Sequence, residues 1–316
     1  MSTNIVNALA IETGMNVGLV ERIMRTAPVR YKTYRIPKRS QGYREISQPA
    51  TEVKSIQRGL IEILLRGLPL HEAATAYRTG MSIKDNALRH AGDGPILKMD
   101  FKDFFPSIKP RDWSVYCQKT GILTDPVEIR LTSSLLFQQP RGSSVFRLAI
   151  GAPSSPFLSN ALMFDFDQTI ADAVANDHVV YTRYADDLTF SAPRTGHLVN
   201  VEKIVRTTLR SLEYPKLAIN EDKTTRITRK YGRKVTGLTL TNDGKVSIGH
   251  NRKRHIHAAV HHASLGKLNS RSLGELKGLL AFAKSAEPQF IDTLKDKYGA
   301  ELIHFIQTSP NTKRER

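Results

Sequence analysis

The sequence predicts an α+β fold, in which antiparallel β-hairpins alternate with amphipathic helices and a helical region follows. Short runs rich in β-branched and aromatic residues flank tight turns, most clearly over residues 179–190, where Ala185 and Asp186 form the turn. Apolar residues recur at helical spacing elsewhere, as they do over residues 56–68. From Asn251 onward the pattern is helical and basic to the C-terminal end.

The charge of the chain indicates a polyanionic partner. The 316 residues suffice for two or three structural units, and 47 Lys and Arg against 30 Asp and Glu give a net charge of +17. Nine basic residues and one acid lie between Arg226 and Arg254, which favours nucleic acid over a membrane surface. Cys117 is the only cysteine, so an intramolecular disulfide is excluded. With no signal-like N-terminus and no run of roughly 18–20 apolar residues, we expect a cytoplasmic protein without membrane contact.

The N-terminal part of the chain predicts two short helices and a basic hairpin. The helices share residues 2–27 and break at Gly14. A packing role is favoured over a DNA-reading helix-turn-helix, because the second helix has few base-reading side chains. Residues 28–50 mix aromatic and basic residues around a turn at Gly42. The cations of this hairpin can bind phosphates or simply protect an edge strand.

Two helices and a strand are predicted next. One helix covers residues 56–68, and Ser82 caps a second that runs to about His90. Residues 96–108 begin as an apolar strand, and Pro106 ends regular structure soon after it.

The middle of the chain is mainly helical and contains one rigid turn. Helical residues extend from about 113 to 137, and a second helix covers residues 157–170 with Pro156 in its first turn. Between them, residues 148–160 form a turn at Gly151 that leaves backbone N–H groups free at a helix N-terminus.

The remaining predicted elements precede the basic helices. Residues 199–212 form an amphipathic helix, and residues 217–225 give a strand and a loop. Residues 234–242 form a strand that turns at Gly244 and returns over residues 246–248 as a hairpin.

Three carboxylates stand among apolar residues. Asp100 lies in an apolar strand, and the pair Asp186 and Asp187 lies in an apolar hairpin 86 positions later. Alone, such a pair is more often a solvated turn. If the strands are neighbours, the carboxylates converge and repel one another unless cations fill the site. Two Mg²⁺ ions about 3.5–4 Å apart, or Mn²⁺ as a substitute, are the general arrangement for in-line displacement at phosphorus.

Nucleotidyl transfer needs further groups, and the chain supplies candidates. Lys38 and Arg44 on the basic hairpin can bind a triphosphate. Phe105 is bulky enough to exclude a ribose 2′-OH, and Lys223 is of the type that protonates a leaving pyrophosphate. The basic C-terminal helices can hold a template-primer duplex.

The order of the segments FKDFFPSI, GAPSSPFLSN, YADDLTFS, INEDKT and KVTGL resembles the palm of reverse transcriptases. The resemblance runs from Tyr34 to about Leu240. Within that superfamily the chain is similar to bacterial retron reverse transcriptases, because residues 86–90 match the NAxxH pattern and residues 235–237 match the VTG triplet. The resemblance implies a right-hand polymerase, with an N-terminal helical extension over residues 1–30, fingers over 31–95, a palm over 96–240 that contains part of the fingers at about 109–150, and a connecting hairpin and helical thumb over 241–316.

The resemblance also implies roles for individual residues. The metal ligands would be Asp100, Asp186, Asp187 and the Phe101 backbone carbonyl, with Phe105 as steric gate and Lys223 as the acid beside the pyrophosphate. The nucleotide contacts would be Lys38, Arg44, the backbone N–H groups of Asp103 and Phe104, Ile150, Gly151 and Ala152. The residues expected to bear on RNA binding are Asn86, His90, Arg229, Lys230, Arg233, Lys234, Val235, Thr236, Gly237, Arg252, Lys253 and Arg254.

One residue departs from the family pattern. Reverse transcriptases usually place Gln before the Gly of the GAPSSP-like turn, and here the residue is Ile150. An apolar side chain at this place changes the surface that faces the incoming sugar and base.

For a retron enzyme the resemblance implies a specific partner and product. The protein would bind its own structured non-coding RNA and prime from the 2′-OH of an internal guanosine. It would copy part of that RNA from dNTPs into branched, RNA-linked single-stranded DNA (msDNA). A separate effector protein and a role in anti-phage defence are also implied.

Alternatives stay open at this level. A group II-intron-like or other bacterial reverse transcriptase would share the chemistry, whereas an RNA-binding scaffold that holds an effector inactive would need none of it. In the histidine-rich segment 250–262, His257 and His261 have i, i+4 spacing but no acid or cysteine nearby. Contact with RNA or a plain surface is therefore favoured over a metal site.

Overall fold

The computed structural model of the protein describes residues 3–37, 42–92 and 94–309, and it confirms the α+β class. The N-terminal elements are α1 (Asn4–Thr13), α2 (Val17–Thr26), β1 (Tyr31–Pro37), β2 (Tyr43–Pro49) and α3 (Thr51–Ile63). Gly14 ends α1 in the left-handed conformation that favours glycine, and the Asn16 side chain accepts a hydrogen bond from Gly18 N to begin α2. Strands β1 and β2 form the predicted basic hairpin.

The central elements surround one sheet. They are α4 (Ile83–Leu88), β3 (Ile96–Asp100), α5 (Phe104–Ser107), α6 (Pro110–Thr120), α7 (Pro126–Leu136), β4 (Phe137–Gln138), β5 (Arg147–Leu148), α8 (Ser154–Leu162), α9 (Phe164–Ala175), β6 (Val180–Tyr184), β7 (Asp187–Ser191), α10 (Val201–Ser211) and β8 (Thr225–Ile227). The sheet is antiparallel in the order β6-β7-β3-β8. The strand that carries Asp100 is therefore the direct neighbour of the strand that begins at Asp187.

The C-terminal elements are a small sheet and four helices. They are β9 (Lys234–Val235), β10 (Leu238–Leu240), β11 (Val246–Ser247), α11 (His250–Ser264), α12 (Ser270–Ala286), α13 (Pro288–Tyr298) and α14 (Ala300–Thr308). The predicted strand over residues 234–242 is broken at Thr236 and Gly237, which both have positive φ. The predicted basic helical end of the chain is confirmed as far as Thr308.

Three further predicted elements have wrong boundaries. The helix predicted over residues 56–68 begins at Thr51 and ends at Ile63, because Leu64 leaves helical geometry. The helix predicted over residues 157–170 is two helices, α8 and α9, that meet at Met163.

The third error concerns residues 217–225. Here the chain makes only an isolated bridge, between Ile219 and Phe101, followed by a 3-10 turn over Glu221–Lys223. The strand that pairs with β3 is β8, which begins at Thr225. Apolar residues in 217–225 suggest a strand, but strand formation depends on pairing with a neighbour, and β3 pairs with β8 instead.

The buried apolar residues form two clusters. The larger one joins α1–α3 to the central sheet and α6–α10, and the smaller one joins β9–β11 to α11–α14. Ala87 in α4 and Ile96 in β3 belong to the smaller cluster, so both clusters meet around these two elements. Within the described ranges, no helix has the length and apolar character needed to cross a membrane.

Candidate active site

The predicted three carboxylates meet at one end of the central sheet. Asp187 is the first residue of β7 and lies opposite Asp100, the last residue of β3. Asp186 occupies the turn between β6 and β7, and its carbonyl oxygen accepts a hydrogen bond of 3.0 Å from Phe101 N. Ala185 completes the turn with a φ of 57°, a left-handed conformation that is uncommon for a residue other than glycine.

Burial makes these charges costly. Asp100 is only 4 % exposed, and Asp186 and Asp187 are half-buried. Burial, and then the charge of Asp186, raises the pKa of Asp187 to about 6. Burial, and then the charge of Asp100, also raises the pKa of Asp186. The three groups repel one another, so a cation at this edge of the sheet is strongly favoured.

Lys223 is the cation that faces Asp100. Its Nζ lies 2.8 and 2.9 Å from the two carboxylate oxygens, although 57 % of its side chain is exposed. Partial burial opposes its charge, but the hydrogen bond to Asp100 and the charges of all three aspartates together raise its pKa. Asn220, which sequence reasoning missed, supports the same strand end: its N–H donates to the Asp100 carbonyl at 2.7 Å.

The donor set fits a divalent metal such as Mg²⁺. Carboxylate oxygens are hard ligands, and those of Asp100, Asp186 and Asp187 raise one another's affinity for a cation. As they stand, no three His, Cys, Asp or Glu side chains of residues 3–37, 42–92 and 94–309 are arranged closely enough to hold a metal ion. In this structure the Lys223 ammonium pairs with the carboxylate of Asp100, one of the three predicted metal ligands.

The predicted steric gate lies beside this cluster. Phe105 is half-buried and its ring lies 5.4 Å from that of buried Phe104. Asp103 precedes them with a φ of 46°, a left-handed conformation, and is the residue before the first residue of α5.

Sequence reasoning missed the partner of Phe105. The Tyr77 ring lies 6.4 Å from it, and Tyr77 also has a positive φ of 59°. Burial, and then the charge of Asp186, raises the pKa of Tyr77, so this phenol is close to the carboxylate cluster. The signal that could have found it is the aromatic-basic segment of residues 76–78 before Gly80.

The basic hairpin reaches the same region. The charge of Arg44 lowers the pKa of both Asp186 and Tyr77, against the larger effect of burial. Ser47 in β2 donates a hydrogen bond of 2.8 Å to the Ile150 carbonyl, which joins the hairpin to the turn at Gly151. Lys38 lies outside the described residues.

The residues predicted to bear on RNA binding fall into two groups. Asn86, His90, Arg233 and Val235 are buried. Arg233 donates to the Gly92 and Gly94 carbonyls. In this conformation these side chains contact protein, and their bearing on RNA binding stays a prediction.

The other group lies at the surface. Lys230, Lys234, Gly237 and Arg254 are exposed. Thr236 donates to the Ile83 carbonyl, Arg252 stacks on Phe282 and Lys253 pairs with Glu287. The Arg229 side chain lies outside the described atoms. Direct contact with RNA stays a prediction for the exposed residues.

The histidine-rich segment is part of α11. His257 packs against the rings of Phe290 and Tyr298, while His255 and His261 are exposed. Among the described side chains no cluster around them could hold a metal ion.

Comparison with known proteins identifies the family. A family model described as reverse transcriptase (RNA-dependent DNA polymerase) matches residues 36–240, more than half of the chain. Retron Ec83 reverse transcriptase of Escherichia coli is 40% identical over 284 residues, 88% of this chain and 89% of that protein. Retron Mx162 reverse transcriptase of Myxococcus xanthus is 34% identical over 284 residues, 82% of this chain and 58% of that protein.

A solved structure of telomerase from Candida albicans, in complex with a fragment of telomeric RNA, covers 92% of this chain and 62% of that one. Its TM-score of 0.46 and identity of 14% are too low to add to the assignment. The two retron enzymes and the family model confirm the predicted family. The chain belongs to the reverse transcriptases, and within them to the retron enzymes, and is therefore an RNA-directed DNA polymerase that works with an RNA template, dNTPs and a divalent metal.

Proposed function

We propose that this polymerase copies part of its own structured non-coding RNA into single-stranded DNA, and that synthesis starts from the 2′-OH of an internal guanosine of that RNA. The product is branched, RNA-linked msDNA. The observation that carries the catalytic part is the cross-strand pairing of Asp100 with Asp187 beside the turn residue Asp186. The retron-specific part is supported by the retron relatives and by the NAxxH and VTG residues of this chain.

In this proposal Asp100, Asp186 and Asp187, with the Phe101 carbonyl, hold two Mg²⁺ ions, for which Mn²⁺ can substitute. When bound, the ions lower the pKa of the attacking hydroxyl and stabilise charge at phosphorus. Lys223 is already charged beside Asp100 and donates a proton to the leaving pyrophosphate.

Other residues of the chain select and orient the nucleotide. Arg44 and Lys38 bind the triphosphate from the hairpin, and the N–H groups of Asp103 and Phe104 bind it from α5. The Phe105 ring excludes a ribose 2′-OH. Ile150, Gly151 and Ala152 lie under the new base pair, where the apolar Ile150 side chain replaces amide hydrogen bonds with van der Waals contact.

The biological setting is also part of the proposal. We infer a cytoplasmic complex of the protein with its RNA and msDNA, joined by a separate effector protein in anti-phage defence. The charge of +17 supports a large nucleic-acid partner.

The direct test is DNA synthesis by purified protein with its RNA, dNTPs and Mg²⁺. Asp186→Asn should abolish synthesis, and Asp296→Asn, an exposed carboxylate on α13, should leave it unchanged. DNA synthesis retained by Asp186→Asn would contradict the metal assignment. A product resistant to debranching enzyme would contradict 2′-OH priming, and normal defence by the Asp186→Asn variant would favour the scaffold alternative.

A further inference from the structure

The NAxxH residues lie beneath the strands that carry the catalytic turn. His90 is fully buried, with Nε2 2.7 Å from Thr182 Oγ1 in β6 and Nδ1 2.7 Å from Ser191 Oγ in β7. A single imidazole therefore connects the two strands of the hairpin whose turn contains Asp186. Strand β7 also pairs with β3, so a shift of β7 changes the distance between Asp187 and Asp100.

Asn86 reaches the same hairpin through one neighbour. Its Oδ1 accepts a hydrogen bond of 2.8 Å from Thr75 Oγ1, and Thr75 N donates to the Arg183 carbonyl at 2.9 Å. Arg183 N in turn donates to the Ala73 carbonyl at 2.7 Å. The segment before α4 thus lies along β6, and Ala74 forms an isolated parallel bridge with Arg183.

The side chain of Arg183 connects this layer to the turn itself. Its guanidinium forms an ion pair with Asp167, with both groups fully buried and the shortest N–O distance 2.6 Å. It also donates to Asn160 Oδ1 at 3.1 Å and to the Ala185 carbonyl at 3.3 Å. Ala185 is the left-handed residue between Tyr184 and Asp186, so the buried cation stabilises the conformation that presents the catalytic aspartates.

The two hydrogen bonds of His90 form only when the hairpin occupies this position, whereas the buried Nδ2 of Asn86 has no partner in the described structure. A buried polar group without a partner costs roughly 1–3 kcal/mol. Displacement of β6 or β7 would leave the buried polar groups of His90, Thr182 and Ser191 without their hydrogen-bond partners. His90 has no exposed surface in this conformation, so RNA has no access to its ring.

We propose that Asn86 and His90 are positioning residues for nucleotidyl transfer: they hold β6 and β7 so that Asp186 and Asp187 stand correctly against Asp100, and they do not contact RNA. The proposal rests on the reverse transcriptase activity of the site and not on the retron-specific priming reaction. Its test therefore uses a primer and template that need no branching.

The experiment is a double-mutant cycle on His90 and its β6 partner. His90→Gln, Thr182→Val and the double variant are assayed for extension of oligo(dT) on poly(rA), alongside binding of a structured RNA and thermal unfolding. We expect each single variant to lower kcat by about tenfold or more, because a misplaced reacting group is costly, and to change the dNTP KM and the RNA Kd by no more than about twofold. The double variant should lose little beyond the larger single loss, since both substitutions remove the same link.

Matched variants separate positioning from general damage. Arg89→Gln changes the exposed residue next to His90 and should leave kcat unchanged. The leucine side chain of His90→Leu has no polar atoms, so this variant should lower kcat more than His90→Gln does. If His90→Gln fails to fold, Thr182→Val and Ser191→Ala carry the same test from the hairpin side.

Two results would overturn the proposal. One is a tenfold or greater loss of RNA affinity in His90→Gln with an unchanged kcat on poly(rA), which would assign the residue to RNA recognition. The other is strict additivity of the two losses, which would show that His90 and Thr182 act separately. Failure of msDNA synthesis with intact poly(rA) extension would count against the proposed priming reaction alone.

Discussion

At the scale of single residues, Gly151 shows how a turn can depend on the absence of a side chain. Its φ is 125°, and a Cβ built on it would lie 3.0 Å from the Ser47 carbonyl oxygen and 3.1 Å from Ile46 Cγ2. The turn can therefore approach β2 closely only with glycine. This approach also brings the Ile150 carbonyl within hydrogen-bonding distance of Ser47 N.

Gly151→Ala should destabilise the protein by roughly 1–3 kcal/mol, because the left-handed backbone and the crowding by β2 act together. Urea unfolding measures the change. Gly278→Ala in α12 is the control: its Cβ meets no atom within 4 Å, so it should be neutral or stabilise by up to about 1 kcal/mol. Equal stability of the two variants would contradict the role of the close approach.

The protonation of His90 predicts a pH effect on stability. Burial, and then the charge of Arg89, lowers the pKa of His90 from 6.5 to about 3. The unfolded chain takes up this proton below pH 6.5 while the folded protein does not, so the stabilising contribution is complete above pH 6.5 and is lost progressively toward pH 3. The loss at pH 5 should be about 2 kcal/mol.

His90→Gln removes the titration, so its stability should fall less than that of the native protein between pH 8 and pH 5. Urea unfolding at both values gives the comparison. If the difference between the two proteins stays constant with pH, His90 takes up its proton equally in the folded and unfolded states.

At the scale of elements, the catalytic hairpin is placed by side chains behind it. Strand β6 contributes Tyr181 and Arg183, whose polar groups both contact Asp167 in α9. The sequence YTRYADD predicts the strands and the turn, but it gives no partner for Arg183. A buried arginine needs a charge opposite it, and only the packing of α9 against β6 supplies one.

Removal of one member of this pair should be more harmful than removal of both charges. Arg183→Met leaves the Asp167 carboxylate buried without an opposite charge and should destabilise by about 3–5 kcal/mol. The double variant Arg183→Met/Asp167→Asn keeps an acceptor for Tyr181 and should recover about 1–2 kcal/mol of that loss. Urea unfolding of the three proteins checks this, and a double variant less stable than Arg183→Met would contradict it.

At the scale of the whole molecule, the buried apolar clusters and the exposed cations have different roles. The two apolar clusters meet at Ala87 and Ile96, near the buried residues of the NAxxH pattern. The exposed cations, by contrast, include Lys230, Lys234 and Arg254 in the later part of the chain. A basic surface of this kind binds nucleic acid through phosphates and with little dependence on sequence.

RNA binding should therefore weaken steeply with salt. Lys234→Gln and Arg254→Gln should each reduce the slope of log K against log salt by roughly 0.7–0.9, if each side chain contacts one phosphate. Lys119→Gln is the control, because Lys119 is paired with Asp165 at 2.8 Å. Filter binding or fluorescence anisotropy over a salt series gives the slopes, and unchanged slopes for both variants would remove these residues from the interface.

The sequence by itself determined the local elements and the chemistry of the site. Apolar runs and turn residues predicted the hairpin of β1 and β2, the hairpin of β6 and β7, the cap at Ser82 and the basic C-terminal helices, because these signals lie within a few residues of one another. The convergence of Asp100 with Asp186 and Asp187 was a conditional prediction, because acids in apolar strands are costly unless paired or metal-bound, and the pairing of β3 with β7 supplied the condition.

Only the tertiary structure decided which side chains are buried and what they contact. It showed that β8 and not residues 217–225 forms the strand paired with β3, placed Tyr77 against Phe105, and gave His90 two partners in the catalytic hairpin. Thr182 and Ser191 lie 92 and 101 positions from His90, and no local pattern carries contacts at such separations. A motif that the sequence assigns to RNA recognition thus becomes, through packing, the support of the catalytic aspartates.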